Sequence, residues 1–331
     1  MRRAPSALLA LGCALGLFAL GRTTRSDEAI DLARTPVVLR AEASAQDLEA
    51  PKPTEFANWH GTSFGSYLPP KGTSFVDETG GVDLVFHFHA AQMADREWRD
   101  STLNAVIVSA TFGIGSGYYA DALQNPARCS QMVGEVLSQL QRDLPKEPTR
   151  PKLHPKRVAL VAWSAGFAAV SKILSVPAYY DMVDSVVLLD GLHSSYVGTE
   201  KSAAQGEDKV DLRGLASFAR FAKDAALGHK QMFISHSNIV PPDYPSTSET
   251  TSALLRMVGV GRKAVPPTEQ TPGRKDRRMV LVSQADEGLL HVRGYQGKTT
   301  TAHFDHLFLV GKAMRELVAP RWRGAPAATS L

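Results

Sequence analysis

Residues 158–170 read VALVAWSAGFAAV. Val158 to Ala162 is a short β-prone run, and Gly166 to Val170 is made of residues small enough for the first turn of a helix packed on a sheet. Ser164 falls on the turn between them. A serine so placed stands clear of the backbone while the first helical N–H groups point toward it, which is the strand, sharp turn, helix geometry of a nucleophile elbow. Gly166 lets strand and helix approach closely. Two residues before the serine, where the pattern has glycine, stands Ala162, which fits if its backbone stays out of the left-handed region. An ordinary serine on a strand-to-helix turn would look the same in isolation, so the rest of the chain decides.

Outward from this stretch, strand-like and helix-like segments alternate from His60 onward, which predicts an α/β domain around a largely parallel sheet. Strands are expected over 82–89, 104–109, 157–162, 184–189, 231–235 and 278–282; their apolar, β-branched centres suit strands covered on both faces. Helices are expected over 118–142 (interrupted near Pro126), 166–175, 212–227 and 248–258. A last one runs from about His303 to Val318, with Pro320 ending it.

A serine hydroxyl is a weak nucleophile at its own pKa; it needs a histidine to take its proton and a carboxylate to orient that histidine. Asp190 closes the apolar run DSVVLLDG and so reaches the same sheet edge as Ser164, with Asp243 and Asp286 as later choices of acid and a simple turn role before Gly191 as the bland reading. For the base, KTTTAHFDHLFLV supplies His303 and His306 about one helical turn apart, able to share a face as base and support. His303, at the loop-to-helix junction, is preferred, and His306 is the alternative base.

Upstream, VDLVFHFHAAQ sets His87 and His89 at strand spacing ahead of Ala90 and Ala91. An acyl-transfer site needs two N–H donors for the oxyanion: the residue after the nucleophile, here Ala165, and one on a loop after an earlier strand, here Ala90. The two histidines could instead hold a divalent metal, making the chain a metal-dependent hydrolase, although no Asp or Glu stands at matching spacing and no metal is expected. The loop TFGIGSGYYADAL misses the dinucleotide fingerprint at Tyr118 and reads as a site wall through Gly115, alongside His89 and Trp163. The segment from Ser194 to Lys230 is long enough for a small cap whose Leu215, Phe218 and Phe221 either line an acyl pocket or pack onto the sheet.

With 331 residues, 44% hydrophobic and 21% charged, the chain can bury a large core and is no disordered polymer. A net charge of +4 and a pI near 9.0, with no basic helix interleaved with aromatics, argue against nucleic acid as a partner. The N-terminus, MRRAPSALLALGCALGLFALGRTT, has two arginines, an apolar run from Ala7 to Leu20 too short to span a bilayer comfortably, then small and polar residues. This predicts a signal peptide over 1–21 with cleavage after Gly21, and an exported protein, periplasmic or secreted. If the segment stayed uncleaved it would be the membrane contact. Residues 22–57 read as a linker or loosely packed lead-in. With Cys13 inside the apolar run, the mature chain keeps Cys129 alone, expected as a buried small hydrophobe.

In chain order, HFHAA after an early strand, AWSAG as the elbow, VVLLDG after the next strand and AHFDHL ahead of the final helix resemble the α/β-hydrolase family, in its order of serine, acid, histidine, over roughly residues 60–323. The resemblance implies an α/β-hydrolase-like three-layer sandwich over 58–325 with an eight-stranded, mostly parallel sheet. It also implies esterase- or lipase-like cleavage of a small-molecule or polymer ester, less expectedly an amide, by a Ser-His-Asp mechanism with no cofactor. The chain departs from the family pattern at Ala162 and Ala90, both alanine for glycine, and in an acid one strand earlier than the commonest placement. A non-catalytic exported binding protein that keeps the fold is the remaining alternative.

Overall fold

The computed structural model describes residues 54–198, 206–274 and 276–324. The expected signal peptide, the arginine pair, Cys13 and nearly all of the lead-in lie outside the described residues. Of the lead-in, Phe56 is buried and pairs with Pro70.

Among the described residues ten strands form one sheet: β1 His60–Thr62, β2 Gly65–Leu68, β3 Gly81–Phe88, β4 Val106–Ala110, β5 His154–Trp163, β6 Val183–Leu189, β7 Gln231–His236, β8 Lys263–Gln270, β9 Met279–Glu287 and β10 Leu290–Gln296. Their order across the sheet is β1-β2-β4-β3-β5-β6-β7-β10-β9-β8. The inner run from β4 to β10 is parallel throughout, and both flanks are antiparallel. The sheet therefore has ten strands rather than eight.

The apolar strands are covered on both faces, as their continuous hydrophobic runs require. On β5, Val158, Leu160 and Ala162 enter one core while Ala159, Val161 and Trp163 enter the other, the period-two alternation of a strand. The first core is closed by α2 Ser116–Ala122, α3 Ala127–Asp143, α4 Phe167–Leu174, α5 Pro177–Met182, α6 Ala216–Ala226 and α7 Thr247–Val258. The second is closed by α1 Asp95–Arg99, α8 Thr300–Leu307, α9 Val310–Ala313 and α10 Ala319–Trp322. The result is three layers.

Leu215, Phe218 and Phe221 are fully buried in the first core, so this helix packs onto the sheet and does not line a pocket. Cys129 is buried there too, and burial pushes its thiol up to about 12. Pro320 does not end the last helix; it sits in the first turn of α10, directly after a wide π turn over Met314–Val318. A first-turn proline costs no intrahelical hydrogen bond, and the wide turn gives its ring room. β1, β2, β8 and β10 escape the sequence patterns. β8 carries Pro266 and Pro267 on an exposed outer strand, and β10 buries His291, Arg293 and Gly294, which read as polar.

Because β3, β5, β6, β7 and β10 run the same way, the residues that follow each of them emerge on one edge, where an open α/β sheet offers its crevice.

Candidate active site

Ser164 follows β5 directly and opens a single 3-10 turn, Ser164–Gly166, that continues into α4. Its φ is +50°, a left-handed conformation that non-glycine residues rarely hold. Five described non-glycine residues have positive φ, and four of them, His89, Ala90, Ser164 and Asp190, end parallel strands on this edge. The turn is held from two sides. A Cβ on Gly166 would stand 2.3 Å from the Phe88 carbonyl oxygen at the end of β3, and one on Gly191 would stand 2.8 Å from the Ser164 nitrogen. Ala162, by contrast, is ordinary buried strand, which is why a methyl group is tolerated where the pattern has glycine.

Asp190 ends β6 and is buried, with side-chain exposure of 2%. Its Oδ2 accepts from His303 Nδ1–H at 2.7 Å, and its Oδ1 accepts from Ser237 N–H at 2.8 Å and from the Thr247 hydroxyl at 2.6 Å. Burial alone would raise this carboxyl. The charges of His306 and His303 and the hydrogen bonds from His303 and Thr247 overcome that and hold it well below the usual carboxylate range. Burial pushes His306 itself down to about 4, so it is neutral near pH 7, and the partner that counts there is His303.

His303 lies in α8, whose N-cap Thr299 accepts from Ala302 N–H. The Trp163 indole N–H donates to the His303 carbonyl oxygen at 3.0 Å, and the two rings lie 4.7 Å apart, so the residue before Ser164 positions the helix that carries the histidine. His306, one turn on, is buried, with Nδ1 2.8 Å from the Ser235 hydroxyl; it backs the site and does not reach the cleft. The other candidate acids are elsewhere. Asp243 is exposed in its loop, and Asp286 sits beside the start of β10, at the opposite edge of the sheet, where it binds His291 and Arg293.

Ser164, Asp190 and His303 line one cavity of about 250 Å³ together with His193, Ser237, Ile239, Tyr244, Thr247, Lys298 and Thr300. A second lobe of about 450 Å³ holds Ile114, Gly115, Ser116, Ala165, Phe167 and Ser194, and shares Ser164, His193 and Tyr244 with the first. Among the hydrogen bonds formed in this arrangement there is none from the Ser164 hydroxyl to His303; such contacts often tighten only when substrate is bound.

Gly115 lines the second lobe. His89 and Trp163 are not among the residues lining these two lobes; their rings stack at 5.1 Å, and His89 Nδ1 lies 2.8 Å from the Tyr119 hydroxyl. His87 and His89 have different ring neighbours: β3 ends at Phe88, His89 takes a left-handed φ, and its ring meets Tyr119 and Trp163. His87 is fully buried against Trp98. Among the described residues no group of three or more His, Cys, Asp or Glu could hold a metal ion. Ala90 lines neither lobe, yet its N–H has no partner among the described residues, whereas the His89 N–H is spent on the Ala110 carbonyl. Ala165, second in its turn, has one of the N–H groups a helix start leaves without an intrahelical partner.

The fold is a three-layer α/β sandwich around a mostly parallel sheet. No protein-family model matches the chain, and no curated protein matches it in sequence. In shape it is similar to a glucuronoyl esterase from Solibacter usitatus (TM-score 0.34, 8% identity, 75% of this chain and 76% of that one). It is also similar to a mutant of LAE6, an alpha/beta hydrolase enzyme from the metagenome of Lake Arreo, Spain (TM-score 0.40, 12% identity, 84% and 85%). A third solved structure is lipase B of Aspergillus fumigatus (TM-score 0.29, 13% identity, 66% of this chain), of which the chain spans about half, 48%.

Sequence reasoning missed His193, Ser237 and Thr247. His193 stands three residues after the acid, a position with no pattern of its own, and Ser237 and Thr247 become partners of Asp190 only through the fold.

Proposed function

We propose that the protein is a serine hydrolase that cleaves a carboxylic ester through an acyl-enzyme. The observation that carries this reading is Ser164 held at positive φ on the strand-to-helix turn, in one cavity with a His303 whose far ring nitrogen is tied to a buried, ionised Asp190. Ser164 Oγ attacks the ester carbonyl carbon while His303 Nε2 takes its proton. Asp190 fixes the tautomer that leaves Nε2 free and stabilises the imidazolium that forms. The N–H groups of Ala165 and Ala90 supply the two donors an oxyanion needs. The intermediate then expels the alcohol, which receives its proton from His303. A water molecule, deprotonated by the same ring, attacks the acyl carbon and frees Ser164 and the carboxylic acid. No step needs a cofactor or metal, and amides are the poorer substrates of this chemistry.

Export belongs to the same proposal. The arginine pair and the apolar run over 7–20 direct the chain out of the cytoplasm, so the ester, small molecule or polymer, is met in the periplasm or the medium.

The test is pre-steady-state hydrolysis of p-nitrophenyl acetate. The wild type gives a burst of one p-nitrophenol per chain, and Ser164→Ala abolishes it and lowers turnover by at least about 10³-fold. A variant that keeps the burst would remove Ser164 from the mechanism.

A further inference from the structure

His193 has no part in the chemistry above, yet it stands in the wall common to both lobes of the cleft, beside Ser164. Its ring is packed between Phe167, at 5.2 Å, and Tyr244, at 5.5 Å. Nδ1 is buried without a hydrogen-bond partner, whereas Nε2 is not enclosed in this way. A buried donor left without an acceptor costs more than a buried lone pair, so the proton belongs on Nε2 and the bare lone pair of Nδ1 faces the aromatic packing. Burial lowers the imidazole to about 4, outweighing the pull of Asp190, and the charge of His303 adds to the lowering. The ring is therefore a neutral donor at pH 7. Ser116, Tyr244 and Thr300 also line the two lobes, so the cleft is no plain hydrocarbon slot.

Resting on the serine hydrolase reading, we propose that His193 is a specificity-determining residue: its Nε2–H donates to a neutral oxygen of the substrate next to the scissile bond, so the preferred substrates are hydroxylated esters and not alkyl esters. The two lobes meet at Ser164, giving the acyl and alcohol parts of an ester bound there one lobe each, and His193 borders both. A hydroxyl one or two carbons from the ester group, on either side, therefore reaches it. A site built around such a hydrogen bond discriminates strongly against the analogue without the oxygen, because its donor is then left buried and unpaired.

The experiment compares kcat/KM for two matched pairs, glyceryl monoacetate against propyl acetate and ethyl lactate against ethyl propionate, in the wild type, His193→Phe and His193→Gln. Each reading is a ratio within one protein, so a general loss of activity cancels. The wild type is expected to favour the hydroxylated ester by about tenfold or more in at least one pair. In His193→Phe that ratio falls to about one, and in His193→Gln, whose amide N–H replaces Nε2–H, it recovers. Wild-type ratios near one in both pairs, or a ratio that His193→Phe leaves unchanged, would overturn the assignment while p-nitrophenyl acetate turnover keeps the hydrolase reading standing. A wild type that hydrolyses none of these esters and gives no p-nitrophenyl acetate burst removes both.

Discussion

Two aspartate–histidine pairs, each closed at 2.7 Å, stand at opposite edges of the sheet: Asp190 with His303 and Asp286 with His291. They differ in which partner is hidden. In the first, Asp190 is 2% exposed and His303 is 21% exposed, lining the cleft with Ser164. In the second, His291 is 4% exposed and Asp286 is 31% exposed, with Arg293 as a further partner at 2.9 Å. Nε2 of His291 is buried and unpartnered, so no substrate proton can reach it. An Asp–His hydrogen bond is thus no site by itself; on the proposed reading it becomes one when the carboxylate is buried and the histidine shares an open cleft with a serine. A separate cavity of about 510 Å³ makes the same point. It lies at the edge where β3 and β5 begin, and three of its cations already have carboxylate partners, Lys71 with Glu55, Lys156 with Asp77 and Arg157 with Asp83.

The same substitution at the two aspartates breaks this comparison or sharpens it. Asp190→Asn is expected to lower kcat on p-nitrophenyl acetate by about 10²- to 10⁴-fold, because the amide favours the wrong histidine tautomer. Asp286→Asn is expected to leave kcat within about twofold. Equal losses would erase the distinction between the pairs. In stability the order reverses: Asp286→Asn leaves Arg293, which is 1% exposed, without its counter-charge and costs about 3 kcal/mol in chemical denaturation.

The buried histidines give a smaller, graded effect. Burial holds His87 at about 3 and His193, His236 and His306 at about 4, below the unfolded value of about 6.5. Below about pH 6.5 the unfolded chain binds protons that the native state refuses, so stability is full above that pH and is lost as pH falls toward about 4. Asp190, whose carboxyl is held low, adds a loss of the same sign at still lower pH. Tm is expected to drop by about 10 °C or more between pH 7 and pH 5. His87→Phe removes one such group, whose two ring nitrogens are unpartnered, and flattens the slope. A Tm independent of pH over this range would contradict the burial assigned to these rings.

Much of this was legible in the chain. The elbow showed because a nucleophile turn needs a strand, a serine and a small residue in immediate succession, and Val158 to Val170 has them. Asp190 and His303 showed because each adjoins the end of an element whose pattern is clear. What stayed hidden was long-range. That Asp190 and not Asp286 faces Ser164 depends on strand direction in the sheet, and β10, with Arg293 and Gly294 inside it, carries no strand pattern. His87 and His89 looked like a pair because spacing reports strand parity and not the left-handed turn at His89 or the different rings each one meets.

The most direct measurement is mass-spectrometric mapping of a fluorophosphonate adduct on the purified protein, with Asp190→Asn beside it. The account predicts one adduct per chain on the peptide containing Ser164, formed far more slowly in Asp190→Asn. A folded protein that takes up no adduct, or carries it on another serine, would contradict it.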